Sequence, residues 1–193
     1  MAGSSPEIVR KPRADAVRNR ERVLEAAKAV FSAGGSEASL EAVARHAGVG
    51  IGTLYRHFPT RDDLVEAAYR NEVAQLHAAA AELLDALPPD EALAEWMHRF
   101  VTYAATKNGM RDALQSVVAS NSELFAETRK RMLAAIGALL RAGVEAGTLR
   151  ADVDADDVLF ASGGIWQVTS DAKWRERAER MIGLIVDGIR RVK

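Results

Sequence analysis

Residues 48–58, GVGIGTLYRHF, combine three glycines with a compact group of hydrogen-bonding side chains. Thr53, Tyr55, Arg56 and His57 place hydroxyl, guanidinium and imidazole groups within five positions. Groups of these kinds donate hydrogen bonds to phosphate oxygens and to the edges of bases. Glycine lowers the stability of a helix by about 1 kcal/mol relative to alanine. Close approach of a ligand to the backbone would explain why glycines stand at these positions.

A helical wheel divides residues 51–58 into two faces. The predicted inner face holds Ile51, Leu54 and Phe58, whereas the outer face holds Gly52, Thr53, Arg56 and His57, with Tyr55 at the border. The free N–H groups of a bare helix N-terminus attract phosphate, and small side chains allow a helix to enter a major groove. For Tyr55 and His57, covering the edge of the core is the alternative interpretation.

The composition and the hydrophobic spacing of the chain predict an all-helical fold. Hydrophobic residues make up 48% of the 193 positions and aromatic residues only 6%, and Ala, Leu, Glu and Arg dominate. Apolar residues at 3–4-residue spacing predict helices over 15–33, 40–47, 50–58, 60–86, 90–107, 111–118, 122–146, 154–169 and 172–191. The predicted ends are N-caps at Ser39, Thr60 with Asp63, and Asp154 with Asp157, and glycine stops at Gly48 and Gly147.

Charge is distributed unevenly, although the net charge is only −1. Residues 1–61 hold ten Lys or Arg and six Asp or Glu, whereas residues 62–193 hold 16 and 21. A basic N-terminal segment on an acidic body favours contact with a polyanion, with chance unevenness as the alternative. The chain has no cysteine, so disulfides and cysteine nucleophiles are excluded. It also lacks a signal-peptide pattern and any stretch of about 18 apolar residues, which predicts a soluble, cytoplasmic protein.

A helix, a glycine turn and a second short helix have the spacing of a helix-turn-helix motif. The segment AVARHAGVGIGTLYRHFPTRDDLVEAA, residues 42–68, resembles the DNA-binding segment of the TetR family of bacterial transcriptional repressors. The resemblance extends over about residues 20–68. It implies a homodimer of all-helical chains, in which three N-terminal helices bind operator DNA and C-terminal helices form a ligand pocket and a dimer interface. FVTYAATKNGM, residues 100–110, resembles more loosely a C-terminal domain of actinobacterial members.

From the motif and the resemblance together, we expect three regions: a disordered basic arm over 1–14, a helix-turn-helix domain over 15–68, and a ligand-binding and dimerisation domain over 69–193. The candidate DNA-binding residues are Ser39, Gly50, Gly52, Thr53, Tyr55, Arg56, His57 and Arg61. The resemblance implies phosphate contacts for Tyr55 and His57 and a base-facing position for Thr53. Many members carry serine at the position of Gly50, so in this chain the backbone N–H must serve alone.

Two groups of residues are candidates for function in the C-terminal part. Ligand-binding candidates are Trp96, Phe100, Tyr103, Phe125, Trp166 and Gln167, with packing in the core as the alternative for the aromatic stripe on one helix. Candidates for the dimer interface are Ala161, Gly164, Ile165, Ile182, Ile185 and Ile189, on two helices expected to form a four-helix bundle with a second copy. Ordinary packing within one chain is the alternative there.

The sequence therefore predicts a ligand-responsive transcriptional repressor that binds a palindromic operator as a homodimer. A ligand-independent DNA-binding or architectural protein and a helical-bundle enzyme are the alternatives. The partners expected are double-stranded DNA, a small-molecule effector and a second copy of the chain. No cofactor is expected, and the four histidines form no close-spaced metal-binding motif.

Overall fold

The computed structural model describes residues 12–34, 37–121, 123–164 and 173–191, and the all-helical prediction is confirmed. The helices of this part of the chain are α1 (Pro12–Gly34), α2 (Leu40–Ala47), α3 (Ile51–His57), α4 (Arg61–Ala86), α5 (Pro89–Gly109), α6 (Arg111–Ser120), α7 (Glu123–Glu145), α8 (Ala155–Ser162) and α9 (Trp174–Ile189). Helix α1 includes residues 12–14, which were expected to be disordered.

The local signals that begin and end helices are confirmed. Thr60 Oγ1 accepts a hydrogen bond from the Asp63 N–H at 3.1 Å, and Asp63 accepts one from the Thr60 N–H at 3.0 Å. Asp154 and Asp157 make the same reciprocal pair at the start of α8. Such pairs satisfy N–H groups that have no partner within the helix, and this is why these positions begin helices.

The first three helices form a small unit that packs on the long helix α4. Helix α1 packs against α2, α4 and α5, and α2 packs against α3. In the remaining body, α4 lies between α5, α6 and α7, while α9 packs on α5 and α8. One continuous hydrophobic core runs through both parts, and its large fully buried side chains include Phe31, Leu54, Tyr69, Trp96, Phe100 and Ile136. None of the helices in the described ranges combines the length and apolar composition needed to cross a membrane.

Candidate nucleic-acid interface

The turn between α2 and α3 is fixed by glycine and by an arginine from α1. Gly48 adopts φ +64°, a left-handed conformation that side chains with a Cβ rarely adopt. Arg22 donates hydrogen bonds to the Ala47 carbonyl and, at 3.1 Å, to the Gly48 carbonyl. The Val49 N–H donates to the Ala44 carbonyl at 3.0 Å. These contacts set the direction in which α3 leaves the turn.

Helix α2 is capped and buried as its sequence predicts. Ser39 Oγ accepts a hydrogen bond from the Ala42 N–H at 3.1 Å, so its hydroxyl serves as the N-cap. Leu40, Val43, Ala44 and Ala47 form its buried stripe. The role of Ser39 that the structure describes is thus structural, and its contact with DNA stays a prediction.

Two apolar side chains anchor α3. Leu54 is fully buried and Phe58 is 3% exposed, and the Arg20 guanidinium lies 5.6 Å from the centre of the Phe58 ring. The third member of the predicted inner face, Ile51, is instead exposed. Its placement on the inner face was wrong, because Ile51 lies in the first turn, and a Cβ added at the neighbouring Gly50 or Gly52 would meet nothing within 4 Å.

The outer face of α3 carries its polar groups towards solvent. Tyr55 is 45% exposed, which argues against a role in covering the core edge. Arg56 is exposed and donates a hydrogen bond to Thr53 Oγ1 at 3.3 Å, while Thr53 and His57 are half-buried. Thr53, Tyr55, Arg56 and His57 thus all reach solvent on one short helix, and Gly50 and Gly52 at its start contribute no side chain.

Arg61 is placed differently from the other candidates. Its guanidinium lies 4.9 Å from the centre of the Phe31 ring, and its Nε donates a hydrogen bond of 3.5 Å to the Ala38 carbonyl. The side chain thus connects the start of α4 to α1 and to the segment before α2. Arg20 and Arg22, which sequence reasoning did not single out, have comparable positioning roles. Their only signal in the sequence was the general basic character of α1.

In the body, the aromatic stripe of α5 packs as core. Trp96 stacks on Phe100 with ring centres 5.8 Å apart, and its Nε1–H donates a hydrogen bond of 2.8 Å to the Leu76 carbonyl. The Tyr103 hydroxyl lies 2.9 Å from that of Tyr69, and burial raises the pKa of Tyr103 well above its ordinary value. For Trp96 and Phe100 these contacts support the core alternative. Tyr103 also lines a groove of about 260 Å³ beside Lys28 and Glu72.

Phe125 lines a larger cavity, of about 510 Å³, between α5, α6 and the start of α7. The other lining residues are Lys107, Asn108, Arg111, Leu114, Gln115 and Val118. Sequence reasoning did not select these six, because side chains from three helices meet there only in the folded chain. Trp166 and Gln167 lie outside the described residues.

The dimer-interface candidates divide between the interior and the surface. Ile182 and Ile189 are 1% and 5% exposed within a single chain, so these two side chains leave almost no surface for a partner. Ile185 and Gly164 are half-buried, Ala161 is exposed, and Ile165 lies outside the described residues. Large apolar groups that do face solvent on the same two helices are Phe160, 88% exposed, and Leu184, 76% exposed.

The described residues contain no group of three or more His, Asp or Glu side chains placed to hold a metal ion. The polar groups that the structure gathers on α3 thus suit binding through hydrogen bonds and charge.

Residues 23–68 match the family model of bacterial regulatory proteins of the tetR family. Residues 88–191 match a second model, described as the C-terminal domain of SbtR-like transcriptional regulators, over more than half of the chain. The chain belongs to the TetR family of transcriptional regulators. This finding agrees with the helix-turn-helix geometry of α2 and α3 and confirms the resemblance carried by residues 42–68.

Solved structures of TetR-family regulators show the same fold over almost their full length. A TetR regulator from Streptomyces coelicolor is 47% identical, with a TM-score of 0.85, and the match covers 90% of this chain and 99% of that one. A TetR regulator from Mycobacterium vanbaalenii is 39% identical, with a TM-score of 0.72, over 93% and 99%.

A curated relative, the transcriptional repressor KstR of Rhodococcus jostii, is 32% identical over 109 residues. That match covers 56% of this chain and 49% of KstR. KstR of Mycobacterium tuberculosis is 43% identical over 60 residues, or 27% of its length. The chain thus spans less than half the length of these two curated relatives.

Proposed function

We propose that this TetR-family regulator is a repressor that binds a near-palindromic operator as a homodimer and leaves it when a small molecule binds to its body. The observation that carries the DNA-binding part is the outer face of α3. Thr53, Arg56 and His57 share that face with Gly52, the exposed Tyr55 lies at its border, and a Cβ added at Gly52 would meet nothing within 4 Å. Repression is inferred from the curated relatives, which include repressors by name.

The proposed domains are residues 15–68 for DNA and 69–193 for ligand binding and dimerisation. In a dimer, the two α3 helices would enter successive major grooves, about 34–36 Å apart. Thr53 and Arg56 are proposed to face base edges, and Tyr55 and His57 to face phosphates. The exposed Phe160 and Leu184 are apolar surface that a second copy of the chain would cover through α8 and α9.

Ligand-controlled release requires that the effector bind the DNA-free form more tightly than the DNA-bound form. The proposed movement is a tilt of α4, because this helix begins directly after α3 and continues through the body. Asp62, in the first turn of α4, accepts a hydrogen bond of 2.9 Å from Ser116 Oγ. Ser116 belongs to α6, one of the helices that line the 510 Å³ cavity.

Gly52→Ala tests the close approach of α3 to DNA. The added methyl group meets nothing within the chain, so the protein should keep its fold and gain up to about 1 kcal/mol of stability from helix propensity. Against DNA the same methyl group overpacks a close contact, at a cost of about 1–3 kcal/mol. We therefore expect a loss of affinity of about tenfold in fluorescence-anisotropy titrations on an operator selected from random DNA.

Gly48→Ala provides the contrasting variant. Because Gly48 has φ +64° and an added Cβ would lie 2.9 Å from the Arg22 guanidinium, this change should lower folding stability and DNA affinity together. Undiminished operator affinity in Gly52→Ala, with the fold intact by circular dichroism, would contradict insertion of this helix end into a groove.

A further inference from the structure

The cavity at the junction of α5 and α6 has an unusual distribution of charge. Lys107, in the last turn of α5, and Arg111, the first residue of α6, both line it. No acidic side chain is among the described residues that line this space. Two cations four positions apart repel each other, and an anion placed between them would remove that repulsion.

The positions of both cations are fixed by neighbouring side chains. The Lys107 ammonium lies 4.6 Å from the centre of the Phe125 ring, and Arg111 donates a hydrogen bond of 2.7 Å to Asn108 Oδ1. Burial, and after it the charge of Arg111, lowers the pKa of Lys107. The charged form of Lys107 is therefore held at a cost in this cavity, and a bound anion would reduce that cost.

The rest of the lining is apolar or neutral. Leu114 and Val118 on α6 and Phe125 on α7 form an apolar wall, and Gln115 adds an amide. The Phe125 ring makes an edge-to-face contact with the Tyr69 ring, and the two ring centres lie 6.1 Å apart. A volume of about 510 Å³ is within the usual range for small-molecule sites. The cavity thus offers a cationic end and an apolar wall to one ligand.

We propose that this cavity binds an amphipathic anion, with a carboxylate or phosphate group between Lys107 and Arg111 and an apolar body against Leu114, Val118 and Phe125. The inference deepens the proposed function, on which it rests, by naming the chemical class of the effector. Charge-assisted hydrogen bonds fix the orientation of the head group, and burial of the apolar body supplies most of the affinity.

The same cavity is close to the DNA-binding unit. A Cβ added at Gly109, which lies between Lys107 and Arg111 in the chain, would come within 3.0 Å of the backbone of Ser32 in α1. On α6, Ser116 donates a hydrogen bond to Asp62 at the start of α4. A ligand that moves α6 and the end of α5 therefore acts on α4 and α1, the helices that follow α3 and precede α2 in the chain.

Isothermal titration calorimetry of the full chain with decanoate, decyl phosphate and 1-decanol tests the proposal. Decanoate or decyl phosphate should bind at least about tenfold more tightly than 1-decanol, which has the same chain without the charge. The two anions together identify the preferred head group. Equal affinity for all three probes, or no binding of either anion, would overturn the proposal.

Variants locate the site on the protein. Lys107→Met and Arg111→Met should each weaken binding of the tighter anion about tenfold and leave the affinity for 1-decanol nearly unchanged. Lys130→Met, which removes an exposed lysine of α7, is the matched control and should bind as the parent does. Anion affinity that survives removal of both Lys107 and Arg111 charges would place the ligand elsewhere and refute this site.

Operator release, followed separately by fluorescence anisotropy, distinguishes the two proposals. Anion binding that depends on Lys107 and Arg111 but leaves the DNA complex intact would support the site and contradict ligand-controlled release by this class of compound. Release that persists in the Lys107→Met/Arg111→Met double variant would support the proposed function and overturn the assignment of the site.

Discussion

Helix α4 passes through two regions that differ in the polar contacts their side chains make. We call the first the head–body junction; it comprises Lys28 with Glu72, Ser116 with Asp62, and Asn121 with Glu66. We call the second the body core; it comprises Leu76, Ala79, Ala80 and Leu83 of α4 packed with Leu93, Trp96, Met97 and Phe100 of α5. The junction adds partly solvent-accessible polar contacts to the hydrophobic core that runs through both parts, whereas the contacts of the body core are apolar and closely packed.

This difference has a consequence for a regulator. Separating apolar side chains in a close-packed core costs free energy that grows with the cavity left behind. Such a core therefore resists small displacements. Exposed hydrogen bonds and ion pairs contribute little each, so they can exchange partners at low cost. The polar contacts between the DNA-binding unit and the body are therefore the ones expected to rearrange if the two parts reorient. Three substitutions test this comparison.

The largest effect is expected for Trp96→Ala in the body core. Trp96 is fully buried, stacks on Phe100 and donates a hydrogen bond to the Leu76 carbonyl. Its removal should lower the free energy of unfolding by about 3–5 kcal/mol, measured by urea denaturation at one chain concentration. Trp174→Ala, at a half-buried tryptophan of α9, is the control and should cost clearly less. Similar losses for the two variants would refute a rigid core centred on α4 and α5.

The sequence predictions succeeded where the structure depends on interactions between residues that are close in the chain. The caps at Ser39, Thr60 and Asp154 were predicted because each is formed by residues three positions apart. The glycine stop at Gly48 was predicted because a positive φ is a property of one residue. Helix bounds followed within a few residues, except near 165–172, which lie outside the described residues.

The predictions that failed concern which neighbour covers an apolar side chain. Periodicity placed Ile51 inward, yet it lies in the open first turn of α3. Ile182 and Ile189 form a stripe on α9 that is buried within the single chain, in line with the alternative of intrachain packing, and Leu184 faces solvent. The cavity of Lys107 and Arg111 was not predicted, because it requires the relative placement of three helices. Such placement depends on tertiary packing, which single-chain periodicity does not determine.

An intermediate effect is expected for Lys28→Met at the head–body junction. Lys28 donates a hydrogen bond of 3.0 Å to Glu72, whose side chain is only 10% exposed. Burial raises the pKa of Glu72 even though Lys28 opposes it. Without Lys28 the buried carboxylate lacks its main partner, so the free energy of unfolding should fall by about 1–3 kcal/mol at pH 7. Lys28→Met/Glu72→Leu should recover most of the loss.

The pH dependence of this variant has a definite sign. Because the folded-state pKa of Glu72 is raised above 4.5, the native state binds a proton more tightly than the unfolded state. Stability associated with Glu72 is therefore fully present below pH 4.5 and is lost as the pH rises through the folded-state pKa. The deficit of Lys28→Met should accordingly be small at pH 4 and grow towards pH 7 in urea titrations. A deficit independent of pH would show that lost packing, and not the charge of Glu72, is responsible.

The smallest effect is expected for Ser116→Ala, which removes the hydrogen bond to Asp62 across the junction. Both residues are solvent-accessible, so water replaces the lost partner, and alanine gains helix propensity over serine. The free energy of unfolding should change by no more than about 0.5 kcal/mol.

Ser116→Thr keeps the hydroxyl group and is the matched control. If this contact transmits the position of α6 to α4, Ser116→Ala should nevertheless weaken ligand-dependent operator release, measured by anisotropy, while Ser116→Thr retains it. A stability loss above about 1 kcal/mol would instead place this contact on a level with core packing, and the division of α4 into an adjustable junction and a rigid core would then be wrong.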